Sequence, residues 1–170
     1  MSTRAAIARK TEPGFAGVYH HLDGYPTALG KTLFQAAQTM PMHALTKLLI
    51  DDHPAGWSTI NDADLTLAPG FTEDHEVRTS KSENGERNPE CFCHGDRAEE
   101  AMPIDEMEDA GMEWAYVLDG ETQTITVFER VYNGQHGTGY FGLGPTPVEW
   151  AERIVVDIHG QEPDWEKVGG

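Results

Sequence analysis

Apolar positions in the first half of the chain recur first every second residue and then every third or fourth. Residues 3–9 alternate loosely, Glu12-Pro13-Gly14 marks a turn, and residues 15–21 alternate again. In that second run Phe15, Tyr19 and His21 share one face and Val18 and His20 the other, so the pattern predicts a β-hairpin. Asp23-Gly24 and Pro26 then break the strand. Thr27 reads as the cap of a helix reaching to Met40, with Leu29, Leu33, Ala37 and Met40 along one stripe. Pro41 interrupts it, and residues 42–51 read as a second short helix that turns Leu45, Leu48 and Leu49 inward.

Trp57, Ile60, Leu65 and Leu67 follow at irregular spacing. From Thr72 to Glu90 the only aliphatic side chain is Val77, which predicts a long mobile loop. Glu113–Leu118 and Thr122–Tyr132 are the clearest strands and flank Asp119-Gly120, a two-residue hairpin signal. Residues 133–145 hold five glycines and predict a flexible loop. Gly137 to Gly142 matches G-x-G-x-x-G, but no helix opens within the glycines and no parallel strand follows, as a dinucleotide site requires. A last helix is predicted with Thr146 as cap, Pro147 at its first position and Glu149 completing a capping box. Val148, Ala151, Ile154, Val155 and Ile158 would face inward, and Gly160 would end it. With no repeat and no composition break, the chain reads as a single domain over 1–170. Its expected class is α+β: one antiparallel sheet from two hairpins, with about three helices packed on one face.

Charge narrows the choice of partners. Twenty-nine acids against twelve bases among 170 residues give a formal charge of −17. Direct binding to nucleic acid or to an anionic membrane needs an excess of cations, and here acids outnumber bases by more than two to one. No apolar run is long enough to span a bilayer, and the start, MSTRAAIARK, carries no apolar signal core. Two cysteines separated by one residue do not make a disulfide framework, so a reducing, cytoplasmic setting is expected. Residues 98–129 contain ten acids and no Lys or Arg. Such a run either keeps the protein dissolved or meets a basic partner surface.

Two segments concentrate chemistry. In Pro89 to Arg97, Cys91, Cys93, His94 and Asp96 lie within six residues. Thiolate and imidazole are preferred zinc ligands, so Cys91, Cys93 and His94 are candidate metal ligands, with a fourth to come from His20, His21 or His75. The competing reading is two small buried side chains beside a turn at Gly95. In Tyr19 to Pro26, His21 and Asp23 share a face if the strand continues. A carboxylate can orient an imidazole for general-base work or metal binding, although Asp23, Gly24 and Pro26 also have turn duties. Arg4, His21, Asp23, Tyr25 and Arg97 could together receive an anion or a partner, with Arg4 alternatively pairing with Asp23. No G-x-S-x-G, Walker A or H-E-x-x-H is present.

The opening Met1-Ser2-Thr3-Arg4, the block Val18 to Pro26 and Gly30-Lys31-Thr32-Leu33 resemble a family of small proteins spread through bacteriophages, prophages and actinobacteria. Its members open with M-S-T-R, then Y-x-H-W-D-G-Y-P, then G-x-x-L. His21, Asp23, Gly24, Tyr25 and Pro26 match the motif, while Leu22 stands where the motif has tryptophan. Cys91 to Arg97 and Glu113 to Val117 are similar to blocks of an actinobacterial branch. No established activity attaches to that family, so the resemblance implies a phage or actinobacterial setting and no mechanism.

Two functions are therefore expected to compete. One is a small acidic interaction protein of the phage or mobile-element kind, a counter-defence inhibitor or nucleic-acid mimic on a basic partner surface, with no catalytic residues. The other is a metal-assisted hydrolase or nucleotide-processing enzyme using His21, Asp23, Cys93, His94 and Asp96. It requires the 91–97 segment to fold back onto the end of the first hairpin. Zinc is the one cofactor the residues suggest, and a zinc-stabilised structural domain, in which the cysteines do folding work only, is a third reading compatible with the first.

Overall fold

The computed structural model describes residues 2–65, 89–94, 99–106, 111–132, 135–136 and 149–169. The expected first hairpin forms from β1 (Ala5–Lys10) and β2 (Phe15–His20), paired antiparallel from Ala5↔His20 to Lys10↔Phe15. Gly14 closes its turn with φ +81°. β1 lies in the interior of the sheet, and Ala5, Ala6, Ile7 and Ala8 are fully buried. Burial on both faces explains why this strand alternates only loosely in sequence.

After β2 the chain enters a π-helical turn at Pro26–Gly30, then α1 (Lys31–Thr39), α2 (Met42–Thr46) and a second π-helical turn at Lys47–Asp51. Tyr25, not Thr27, stands at the start of the first turn, with Pro26 as the first helical residue. Proline has no N–H to leave unpaired at that position, so no side-chain cap is needed there. Short strands follow: β3 (Trp57–Thr59), β4 (Glu90–Cys91) and β5 (Ile104–Asp105). β6 (Trp114–Asp119) and β7 (Thr124–Tyr132) form the expected second hairpin. Its loop is four residues, Gly120–Gln123, rather than two. Asp119 explains the difference, because its carboxylate accepts the N–H groups of Glu121 and Thr122 at 2.9 and 3.2 Å and stabilises the longer turn. β8 (Gln135–His136), β9 (Glu149–Asp157) and α3 (Trp165–Gly169) complete the described elements.

The expected fold class is corrected in two respects. First, the sheet is mixed and has nine strands in the order β4-β3-β2-β1-β6-β7-β8, with β5 on β2 and β9 on β7. β1 runs parallel to β6, and β2 parallel to β3. Second, the expected C-terminal helix is strand β9, antiparallel to β7, and Thr146 to Val148 lie outside the described residues. A bulge explains the misreading. Ile154 pairs with Val127 and Glu152 with Phe128, so Arg153 is the extra residue. Alternation changes phase there, and inward positions on either side of a bulge imitate a helical stripe. The β-branched run Ile154-Val155-Val156 favours a strand in any case.

One core cluster joins Leu29, Leu33, Leu45, Leu48 and Leu49 of the helical segments to Ile7, Tyr116, Ile125 and Val127 of the sheet. A second cluster centres on Ala6, Ala8, Phe15, Ile104, Met112 and Val117, with Phe128 and Trp150 packed against it. Phe15 stacks on Phe128 at 5.9 Å and meets Trp150 edge-on at 5.6 Å. Ile104 and Met112 of the acidic run therefore belong to this second core. The expected loop over Thr72–Glu90 lies outside the described residues except for Pro89 and Glu90. The glycine-rich segment 137–145 lies outside them entirely. Among the described residues no helix is long and apolar enough to cross a membrane.

Candidate functional site

The turn that follows the second π-helical segment organises the polar chemistry. His53-Pro54-Ala55-Gly56 closes with the Gly56 N–H donating to the His53 carbonyl at 2.9 Å, with Pro54 second and Gly56 fourth, where turns favour them. Gly56 has φ +84°, and a side chain there would run into the Tyr19 carbonyl of β2. The turn can thus lie directly against the sheet. Trp57 begins β3, fully buried, and donates its indole N–H to the Leu49 carbonyl at 2.9 Å. It also packs on the His53 ring with centroids 4.3 Å apart.

The cysteine segment joins the same turn. Cys91 pairs with Trp57 across β3 and β4. The Phe92 N–H donates to the Gly56 carbonyl at 3.0 Å, and the Ala55 N–H donates to Cys93 Sγ at 3.1 Å. Cys91 Sγ lies 3.3 Å from His94 Nδ1, and the His94 ring is 5.3 Å from that of His53. Ligand atoms of His53, Cys91 and His94 all fall within 4.8 Å of one another, a group that could hold a metal ion. His53 is fully buried. Its Nδ1 lies 2.8 Å from the Leu48 carbonyl, which can only accept, so Nδ1 carries a proton and Nε2 is the ring nitrogen left to face a metal. Both cysteines are free, and burial raises both thiols above the ordinary range.

Of the expected ligands Cys91, Cys93 and His94, the structure groups Cys91 and His94, leaves Cys93 outside the 4.8 Å group, and adds His53, which the sequence reading passes over. Of the expected sources of a fourth ligand, His20 is engaged elsewhere: its Nε2 accepts the Ile60 N–H at 3.2 Å. His75 lies outside the described residues, as do Asp96 and Arg97.

The other expected residues gather at the end of β2. His21 Nδ1 is 2.9 Å from the Tyr19 hydroxyl, and the Ser2 hydroxyl donates to the His21 carbonyl. The His21 ring also meets Phe92 edge-on at 6.4 Å. The cysteine segment does fold back onto the first hairpin, with Phe92 toward His21 and Cys91 and His94 toward His53. The ring partner of His21 is Tyr19, not the Asp23 carboxylate. Asp23 occupies a left-handed turn position (φ 54°), and its carbonyl accepts from Asn61 Nδ2 at 3.0 Å. The Gly24 carbonyl accepts the buried Tyr116 hydroxyl at 2.8 Å, and the Tyr25 carbonyl accepts the N–H groups of Ala28 and Leu29. Arg4 is half-buried, and its charge acts on Tyr19 and Glu113. Burial raises the Glu113 carboxyl and Arg4 partly offsets it.

The acidic segment is fastened at several points. The Glu99 N–H donates to the Phe92 carbonyl at 2.7 Å, and the Met102 N–H to the Pro54 carbonyl at 3.0 Å. Ile104 and Asp105 pair with Gly17 and Ala16 of β2. Glu106 accepts the Phe15 N–H on its carboxylate at 3.2 Å and the Trp150 indole N–H on its carbonyl at 2.9 Å. Glu99, Glu100 and Asp105 remain exposed.

No family model matches the chain, and neither the curated proteins nor the solved structures contain a match to it.

Proposed function

We propose that this chain is a small acidic interaction protein that meets a basic partner surface through its 99–106 segment. The reading is carried by one observation: residues 98–129 contain ten acids and no Lys or Arg, and the start of that run is held against the sheet. A fixed array of like charges gives orientation and speed to association that a floppy one does not. A groove that otherwise receives nucleic acid is the kind of surface such an array fits.

Photo-crosslinking residues placed at Met102, in the segment, and at Val155, on β9, test this in the producing cell. Both side chains are exposed, at 44% and 49%. Position 102 should capture a partner with a basic face. Capture should fade as salt rises and vanish in the triple variant Glu99→Gln, Glu100→Gln, Asp105→Asn. Equal capture from position 155, or capture indifferent to salt and to the triple variant, would overturn the assignment, as would no capture at all.

A further inference from the structure

We propose that His53, Cys91, Cys93 and His94 form a closed, four-coordinate site for Zn²⁺ that fastens the cysteine segment to the sheet. This inference is independent of the partner-binding reading. Three of the four donors already stand within 4.8 Å of one another. Tetrahedral zinc with nitrogen and sulfur ligands needs donors about 3.3–3.8 Å apart, given its bond lengths of about 2.0–2.3 Å. The Cys91–His94 separation of 3.3 Å already meets that spacing. Cys93, two residues from Cys91 and adjacent to His94, has its Sγ on the Ala55 N–H of the same turn at 3.1 Å, which makes it the fourth ligand of the set.

The groups around the donors are those that zinc sites use. A ligating histidine donates its second ring nitrogen to a carbonyl or carboxylate, which fixes the tautomer. His53 does this with Leu48, and Trp57 packs on its ring. The Ala55 N–H already points at Cys93 Sγ, where it would stabilise a thiolate. The donor set, two sulfurs and two imidazoles, is one that zinc favours, and four protein ligands leave no position for a substrate. The site is therefore structural rather than catalytic.

The fold supplies a reason for it. β4 has two residues, yet it must anchor the chain on its return from residues 66–88. A two-residue ladder is a weak anchor, whereas a metal bridge from His53 to Cys91 closes a span of 38 residues along the chain.

The test uses the full chain purified under reductant. Elemental analysis should find about one zinc per chain. Replacing it with Co²⁺ should give the visible bands of tetrahedral, thiolate-ligated cobalt. His53→Ala and Cys91→Ser should each lower metal affinity at least tenfold, and Cys93→Ser should weaken the sulfur-to-cobalt charge-transfer band. His53→Cys should restore binding, which separates lost ligation from lost folding. His159→Ala, a change at an exposed histidine, should leave one equivalent bound. A wild-type chain that takes up neither Zn²⁺ nor Co²⁺ overturns the site. Full retention of metal by His53→Ala overturns the role of His53, and an unchanged cobalt spectrum in Cys93→Ser overturns the fourth ligand.

Discussion

Protonating His20 would put a cation where the Ile60 N–H already points at Nε2, in a site with no solvent contact. Burial, with a smaller contribution from His21, pushes its pKa down to about 3 from 6.5. The neutral ring carries its proton on Nδ1, which finds no partner among the described residues. The unfolded chain therefore binds a proton between pH 6.5 and 3 that the folded chain refuses. Stability is complete above pH 6.5 and declines as the pH falls through that window. Between pH 6.5 and 5 the loss from this residue is about 2 kcal/mol. Denaturant titrations of the wild type and of His20→Gln, whose amide oxygen can accept the Ile60 N–H, should diverge by that amount. Parallel pH profiles would show that His20 titrates normally. At this scale the sequence was partly legible. His21 and Asp23 stood out for their chemistry, and Asp23 and Gly24 also for turn duties; the structure gives Asp23 and Gly24 turn and hydrogen-bonding work in the backbone. His53 gave no signal, because Asp52-His53-Pro54 reads as the end of a helix and its neighbours in space lie 38 residues on.

Elements were legible where the period was unbroken. The first hairpin, the helical stretch over 42–51 and the β6–β7 hairpin follow from alternation, spacing and turn residues alone. β9 failed because one bulged residue, Arg153, gave a strand the look of a helix. β3 failed because three residues carry too little pattern, and the parallel pairing of β1 with β6 has no local trace at all. α3 is short, and tertiary packing holds it. Trp165 meets Phe34 edge-on at 6.3 Å and donates its indole N–H to Glu162 at 2.9 Å. It also lies so close to Gly30 that a methyl group there would come within 2.9 Å of the ring. Trp165→Ala should lower the unfolding free energy by about 3–5 kcal/mol and release the C-terminal helix to proteolysis. A loss below about 1 kcal/mol would mean that the helix contributes little to the core.

For the molecule as a whole, the His53–Gly56 turn is the meeting point of three segments. It carries the buried histidine, receives the cysteine strand through Ala55 and Gly56, and receives the acidic segment through the Pro54 carbonyl. Removing the metal should therefore disturb more than the cysteines. Chelation should speed amide exchange at Phe92 and also at Met102, whose N–H rests on Pro54. Exchange at Met102 that is unchanged by chelation would show that its contact with Pro54 does not depend on the metal.

The far side of β9 has a consequence of its own. Among the described residues this nine-residue strand pairs only with β7, and its other edge has no described strand beside it. Glu149, Glu152 and Asp157 stand exposed along it, and the bulge at Arg153 twists it out of line. Charge and irregularity are what keep such an edge from adding a strand of another copy. The triple change Glu149→Thr, Glu152→Thr, Asp157→Thr should leave the chain folded but convert it, on concentration, into sheet-rich aggregates visible by light scattering. On this account three carboxylates on a single strand keep the protein from polymerising.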